Sequence, residues 1–190
     1  MSRVGREGRS FIRITAADLR QLATLVAADR RDFFSRHEDW ARLYRRRILC
    51  TALCQGAALH FVHGEAGIND LDDYKFYATH PDRHWYAKRR RVCDFGDPKF
   101  GQSVDKPRFV GRRVDILGRD IPARPREDPV CAVVRYLKNG RTETARLLAQ
   151  KAVVLIDPPK YLGKVIWADG APRCHSRQRL RARWKETSSV

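Results

Sequence analysis

Three aspartates, Asp70, Asp72 and Asp73, lie within four positions of the segment GEAGINDLDD, residues 64–73. Clustered carboxylates repel one another, so their closeness requires compensation. Two kinds of compensation are consistent with the residues: water around an exposed turn, or a divalent cation bound by carboxylate oxygens, the ligands that Mg²⁺ prefers in proteins.

Two predicted strands place these carboxylates relative to a further one, Asp115. The segment 70–78 alternates as a strand does, so Asp70 and Asp72 share one face and Asp73 points to the other. A second strand, 110–117, carries Asp115 between two apolar residues, where an unpaired charge is costly. If the two strands are neighbours, Asp70, Asp72 and Asp115 converge on one patch.

An apolar run, ILCTALC at 48–54, predicts a strand buried on both faces. It ends at Gln55 and Gly56, and AALHFV at 57–62 predicts a short helix directly after the glycine. The sequence therefore predicts a strand, a sharp bend and a helix before the strand that begins at Asp70.

Taken together, LCQGAALHFV, GINDLDD and RRVDIL resemble the nucleotidyltransferase fold of the DNA polymerase β superfamily, in particular the minimal and AbiEii-like bacterial nucleotidyltransferases. In that family a strand ends in Gly-Gly or Gly-Ser, a helix follows, and the next strand presents Asp-x-Asp. Here Gly56-Ala57 stands at the first position, and 12 residues, 58–69, precede Asp70. Ala57 replaces the family's second Gly or Ser and brings no hydroxyl to a phosphate, whereas Gln55 offers a side-chain donor.

The resemblance implies an α/β (α+β) fold with a small mixed sheet flanked by helices. It implies that Asp70, Asp72 and Asp115 are the catalytic residues and ligate Mg²⁺ or Mn²⁺. The reaction would transfer an NMP from an NTP to an acceptor hydroxyl, and a toxin role with an antitoxin partner is compatible with the pattern. The expected nucleotide-binding residues are Gln55, Gly56, Ala57, Lys151 and Arg113, with Lys75 as a weaker candidate.

The charge of the chain points to a polyanionic partner. Lys and Arg number 39 against 22 Asp and Glu, for a formal charge of +17, and 30 of the 39 are arginines. Such an excess favours nucleic acid, nucleotide phosphates or an acidic protein. The segment WYAKRRR, 85–91, interleaves aromatic and basic residues as single-strand-binding surfaces do. RNA, especially tRNA, is therefore the expected acceptor. The residues expected to bind it are Trp85, Lys88, Arg89, Arg90 and Arg91; an exposed insertion loop without a partner, spanning roughly 79–109, explains them equally well.

The rest of the chain predicts one domain, 13–170, between a flexible basic N-terminus, 1–12, and a basic tail, 171–190. Five scattered cysteines and the lack of a signal peptide or membrane span predict free thiols and a cytoplasmic location without membrane contact. The other predicted elements are helices from Thr15 to about Phe34, over 38–46 and 129–139 and from Thr142, and strands at 153–157 and 164–168.

Two alternatives remain open at the level of sequence. The chain could be a catalytically silent member of the nucleotidyltransferase fold that binds nucleic acid. It could also be an unrelated DNA- or RNA-binding protein in which GEAGINDLDD is a solvated turn.

Overall fold

The protein is built around one seven-stranded mixed sheet with helices packed on both faces, which confirms the α/β class expected from the sequence. The computed structural model describes residues 9–95, 102–103, 106–110 and 112–173. The helices are α1 (Ala16–Arg36), α2 (Glu38–Tyr44), α3 (Gln55–His63), α4 (Pro129–Asn139) and α5 (Glu143–Ala149). The strands are β1 (Ile48–Cys54), β2 (Leu71–Ala78), β3 (Tyr86–Cys93), β4 (Gln102–Ser103), β5 (Lys106–Val110), β6 (Arg112–Ile121), β7 (Ala152–Asp157), β8 (Lys164–Ala168) and β9 (Ala171–Pro172).

The strand order across the sheet is β3-β6-β2-β1-β7-β8-β9. β2 and β6 run parallel, and the other neighbouring pairs of this sheet run antiparallel. β4 and β5 form a separate two-stranded ribbon. β2 and β6 are the two strands that the sequence predicts to carry the candidate carboxylates, and they are direct neighbours in the sheet.

β1 is an interior strand, as its almost unbroken apolar run predicts, and six of its seven residues are apolar. It pairs with β2 on one side and β7 on the other. Cys54 packs with α4 and α5 on one face of the sheet, which we call the α4–α5 face. Leu53 packs with α1 and α3 on the opposite face, which we call the α1–α3 face.

α1 begins where the sequence predicts, at a capping box. The hydroxyl of Thr15 accepts a hydrogen bond from the backbone N–H of Asp18, and the Asp18 carboxylate accepts one from the backbone N–H of Thr15. Two donors that the helix leaves unpaired are thereby satisfied. Leu19, Leu22 and Val26 follow at helical spacing and are buried against the α1–α3 face.

The prediction of a long loop over 79–109 is wrong, because most of the described residues in this range lie in strands. β3 pairs with β6 over its whole length at one edge of the sheet, and β4 and β5 follow. β3 lacks apolar alternation because charged side chains on both of its faces form ion pairs with acidic residues of β6 and α1. Without an apolar face, a strand gives no period-two signal in the sequence.

The sheet domain extends slightly beyond the predicted limits of 13–170. Ser10 is buried, and its backbone N–H and C=O each hydrogen-bond with Ile68, at 2.9 and 2.7 Å. At the other end, β9 pairs with β8. Of the two predicted flexible segments, residues 1–8 and 174–190 lie outside the described residues.

Four of the five cysteines, Cys50, Cys54, Cys93 and Cys131, are free thiols, as expected; the fifth lies outside the described residues. None of the helices in the described part of the chain has the length and apolar character needed to cross a bilayer.

Candidate active site

Asp72 and Asp115 lie side by side on neighbouring strands. The β2–β6 register pairs them directly, and paired residues of adjacent strands point to the same face of a sheet. Asp70 lies just before β2, and Arg113 forms ion pairs with both Asp70 and Asp115. The structure therefore brings the three carboxylates together at one end of the sheet, on the α4–α5 face.

The Asp72 carboxylate lies in a repulsive environment. Burial, followed by the charges of Asp70 and Asp115, raises the pKa of Asp72 to about 6, and Lys151 and Lys88 oppose the shift. Within the described residues no hydrogen bond or ion pair reaches this carboxylate. A cation or a proton at Asp72 would relieve the repulsion.

Asp115, by contrast, is fully compensated by basic side chains. It is 4% exposed, a degree of burial that requires a charge to be paired. Its oxygens lie 3.1 Å from Arg90 Nε, 3.4 Å from Lys88 Nζ and 3.4 Å from Arg113 Nε. The site face thus carries basic groups from both β3 and β6 around the acidic ones.

The bend between β1 and α3 adjoins the carboxylates, because Cys54 pairs with Asp72 in the β1–β2 register. Gln55 has a φ of 59°, a left-handed conformation that costs energy in a residue with a side chain. A Cβ at Gly56 would meet no atom of the described chain within 4 Å, so packing does not require a glycine there. Gln55 also bridges to Ala152, which places Lys151 beside the same bend.

Oxygen ligands of this kind suit a hard divalent cation such as Mg²⁺. In the described part of the chain, however, no three His, Cys, Asp or Glu side chains are grouped closely enough to hold a metal ion as they stand. Arg113 contacts both Asp70 and Asp115. Cation binding therefore requires the carboxylates to move closer together, Arg113 to leave Asp70 and Asp115, and Lys88 and Arg90 to leave Asp115.

The basic residues predicted to bind nucleic acid divide between the two faces of β3. Lys88 and Arg90 point to the α4–α5 face, where they contact Asp115. Arg89 and Arg91 point to the α1–α3 face, where they form ion pairs with two acidic residues of α1, Asp29 and Asp32, at 2.9–3.5 Å. Arg89 and Arg91 therefore attach β3 to α1 on the face opposite the carboxylates, and their binding to nucleic acid stays a prediction.

The prediction that Trp85 binds nucleic acid is wrong. It is 3% exposed and packs against aromatic side chains of α1, α2 and β2, so its ring is not accessible to a base. The rings that contact it are those of Phe33, Phe34, Trp40, Tyr44 and Tyr77. The indole also lies over Gly118 of β6, the one position where β6 must lack a Cβ to accommodate it. Trp85 anchors the start of β3 to the core.

Lys75 is not a phosphate ligand, because it lies on the α1–α3 face and is 2% exposed. Its ammonium group hydrogen-bonds to Asp29 at 3.1 Å. Asp29 therefore joins Lys75 of β2 to Arg89 and Arg91 of β3 beneath α1.

Arg119 of β6 is an additional residue on the site face that the sequence did not single out. It pairs with Tyr86 in the β3–β6 register, and its guanidinium lies 4.3 Å from the centre of the Tyr86 ring. The alternation of YAKRRR could have separated Tyr86, Lys88 and Arg90 from their neighbours, had the segment been taken as a strand.

Comparisons with protein-family models, with curated proteins and with solved structures gave no match to this chain.

Proposed function

We propose that this protein is a metal-dependent nucleotidyltransferase that moves an NMP from an NTP to an acceptor hydroxyl, with RNA as the acceptor. The observation that carries the proposal is the β2–β6 register, which sets Asp72 against Asp115 beside the β1–α3 bend. A strand, a glycine-containing bend, a helix and an Asp-x-Asp strand follow one another in the order that the nucleotidyltransferase resemblance requires.

The bend supplies the proposed triphosphate contacts. The first turn of α3 has backbone N–H groups without helical partners and the positive end of the helix dipole, and both attract phosphate. The open space at Gly56 lets a phosphate approach the backbone closely. Lys151, beside the bend, and Arg113 add positive charge.

Asp70, Asp72 and Asp115 would hold the divalent cation. When bound, Mg²⁺ or Mn²⁺ supplies charge neutralisation of the phosphates and lowers the pKa of the attacking hydroxyl. Arg113 would then leave the carboxylates and pair with phosphate oxygens, which would keep its charge compensated. Lys88 and Arg90, on the adjacent edge strand, would exchange their contacts with Asp115 for contacts with the acceptor's phosphates.

A transfer assay tests the proposal. Purified protein is incubated with total RNA, Mg²⁺ or Mn²⁺, and each of the four NTPs labelled at the α-phosphate. We expect label to enter RNA with the wild type, and Asp72→Asn to lower the rate by at least about 100-fold, because several kcal/mol of charge stabilisation is lost. Asp82→Asn is the matched control, since Asp82 is an exposed carboxylate in the turn before β3.

A catalytically silent nucleic-acid-binding module is the second candidate, and one observation favours it. Asp70 and Asp115 are already paired with basic side chains, so two of the three carboxylates are compensated without a cation. This candidate predicts no label transfer but salt-sensitive RNA binding that Asp70→Asn preserves or strengthens, since a negative charge is removed. Absence of RNA binding near physiological salt would reject it.

A further inference from the structure

Tyr86 is the most exposed of the large apolar side chains on the described surface, at 69%. It lies on β3, an edge strand, and the Arg119 guanidinium covers one side of its ring. Arg119 is itself held in place, because its Nε donates to the Thr144 hydroxyl at 3.3 Å and its Nη1 to the Gly118 carbonyl at 2.7 Å. Tyr86 and Arg119 thus form a fixed, open pair of flat groups.

This pair shares the α4–α5 face with the carboxylates. In the β3–β6 register Tyr86 pairs with Arg119 and Arg90 pairs with Asp115. The four residue steps from Asp115 to Arg119 span about 13 Å along a strand. Lys88 lies between Tyr86 and Arg90 on the same face of β3, so the sequence of groups along this edge is aromatic, cation, cation and then the carboxylates.

The chemistry of this edge selects single-stranded nucleic acid. Outward side chains on this face of β3 are Tyr86, Lys88, Arg90 and Val92, which include two cations and no acid. Lys88 and Arg90 both contact Asp115 of β6, but their side chains remain 48% and 61% exposed, so each has donors open to a further anion. An aromatic ring offers a stacking surface to a base, and cations along the same strand contact the backbone phosphates. An exposed ring surrounded by charged groups is a poor match for an apolar protein surface or a membrane.

We propose that Tyr86, supported by Arg119, stacks on a base of the acceptor RNA strand, while Lys88 and Arg90 hold the phosphates between that base and the carboxylates. This inference rests on the proposed function for the identity of the strand as acceptor. β3 would thereby be the edge along which the acceptor enters, and a single strand, whose bases are free to stack, would bind in preference to a duplex.

The test measures binding without catalysis. Every variant carries Asp72→Asn, and NTP and divalent metal are omitted, so failure of the catalytic proposal leaves this measurement unaffected. Fluorescence anisotropy reports the affinity for a labelled single-stranded RNA of about ten nucleotides, and the same oligonucleotide with 2-aminopurine reports stacking through quenching. Heparin, a polyanion without bases, is the second ligand.

We expect Tyr86→Ala to weaken RNA binding by about five- to 150-fold, the effect of losing one stacked base, and to abolish the quenching. Tyr86→Phe should retain both, because the ring remains. Heparin affinity should be unchanged by Tyr86→Ala and reduced by Lys88→Ala. Leu147→Ala, which removes an exposed apolar side chain from α5, is the matched control.

Equal RNA affinity for Tyr86→Ala and its parent would overturn the inference, as would an equal loss of RNA and heparin affinity. Circular dichroism of Tyr86→Ala guards against loss of structure, and the exposure of the side chain predicts an unchanged spectrum.

Discussion

Asp73 is a buried carboxylate that the candidate site does not use. It lies on β2 between Asp72 and Tyr74 but points to the α1–α3 face, and neither of its oxygens has a hydrogen-bond partner within the described residues. Burial raises the pKa of Asp73 well above its usual value of 3.8, and the Lys75 ammonium only partly offsets this. The folded protein therefore binds this proton more tightly than the unfolded chain does.

This shift predicts a pH-dependent effect of Asp73→Asn. An acid whose pKa is raised on folding favours the folded state below its unfolded pKa, and that contribution is lost as pH rises towards the folded pKa. Asparagine has no such dependence. At pH 8 the free energy of unfolding of the variant should exceed that of the wild type by about 1–3 kcal/mol, because burial opposes ionisation of Asp73 in the folded protein but not in the unfolded chain.

Urea denaturation at pH 4, 6 and 8 checks this, and the difference should shrink towards pH 4. Asp82→Asn, at an exposed position, should show no such trend. A variant destabilised equally at every pH would mean that the Asp73 carboxylate has a partner in the folded protein.

Arg113 gives a second prediction at the residue scale. Because it contacts both Asp70 and Asp115, it competes with a cation for their oxygens. Arg113→Gln should therefore tighten Mn²⁺ binding in the absence of nucleotide by up to about fivefold, the equivalent of one partly exposed ion pair. Electron paramagnetic resonance of free Mn²⁺ measures this. Arg135→Gln, which removes an ion pair to Glu127, is the control, and an unchanged affinity for Arg113→Gln would show that Arg113 does not compete.

Two glycines are expected to differ in their effects: Gly118 is required for stability, and Gly56 is proposed to be required for activity. A Cβ at Gly118 would overlap the Trp85 indole, which cannot retreat because five other rings surround it. We expect Gly118→Ala to lower the free energy of unfolding by about 1–3 kcal/mol, as overpacking does. Gly56→Ala meets no atom and should leave the melting temperature unchanged or slightly raised, since alanine favours helix.

Transfer activity should fall in Gly56→Ala although stability does not, because the added methyl group would occupy the space proposed for the triphosphate. Thermal unfolding and the transfer assay, applied to both variants, check the pair of predictions. A fully active and stable Gly56→Ala variant would remove the bend from the proposed site.

Elements with a local signal were predictable from the sequence. The capping box at Thr15 and the N-cap and proline at Asp128 and Pro129 define helix starts through contacts within three residues, and the structure has α1 and α4 at those positions. The strand parity of Asp70 and Asp72 follows from the geometry of any strand. Their placement beside Asp115 required only that β2 and β6 be neighbours.

β3 was not predictable for a physical reason. Arg89 and Arg91 are compensated by Asp29 and Asp32, which lie about 60 positions earlier in the chain, and a contact of that separation leaves no local pattern. The same applies to Trp85, whose burial depends on rings from α1, α2 and β2. A basic strand that follows a buried tryptophan is therefore difficult to distinguish from an exposed loop in the sequence.

Across the whole molecule, some of the basic residues are paired with acidic side chains of the same chain. Some of the arginines form ion pairs beneath α1, whereas those of the α4–α5 face surround the three carboxylates at one end of the sheet. Charge alone thus predicts attraction to a polyanion, but it does not identify the surface that binds it. The register of the sheet decides which basic side chains share a face with Asp72 and Asp115.

A structure with bound ligands gives the most direct test of the proposed cation and triphosphate positions. Crystals grown with a non-hydrolysable NTP and Mn²⁺ would locate the cation by its anomalous scattering. We expect Mn²⁺ between Asp72 and Asp115, the triphosphate against the first turn of α3 at Gly56, and Arg113 turned from the carboxylates to the phosphates. A nucleotide bound elsewhere, with Arg113 still joining Asp70 to Asp115 and no Mn²⁺ beside them, would contradict it.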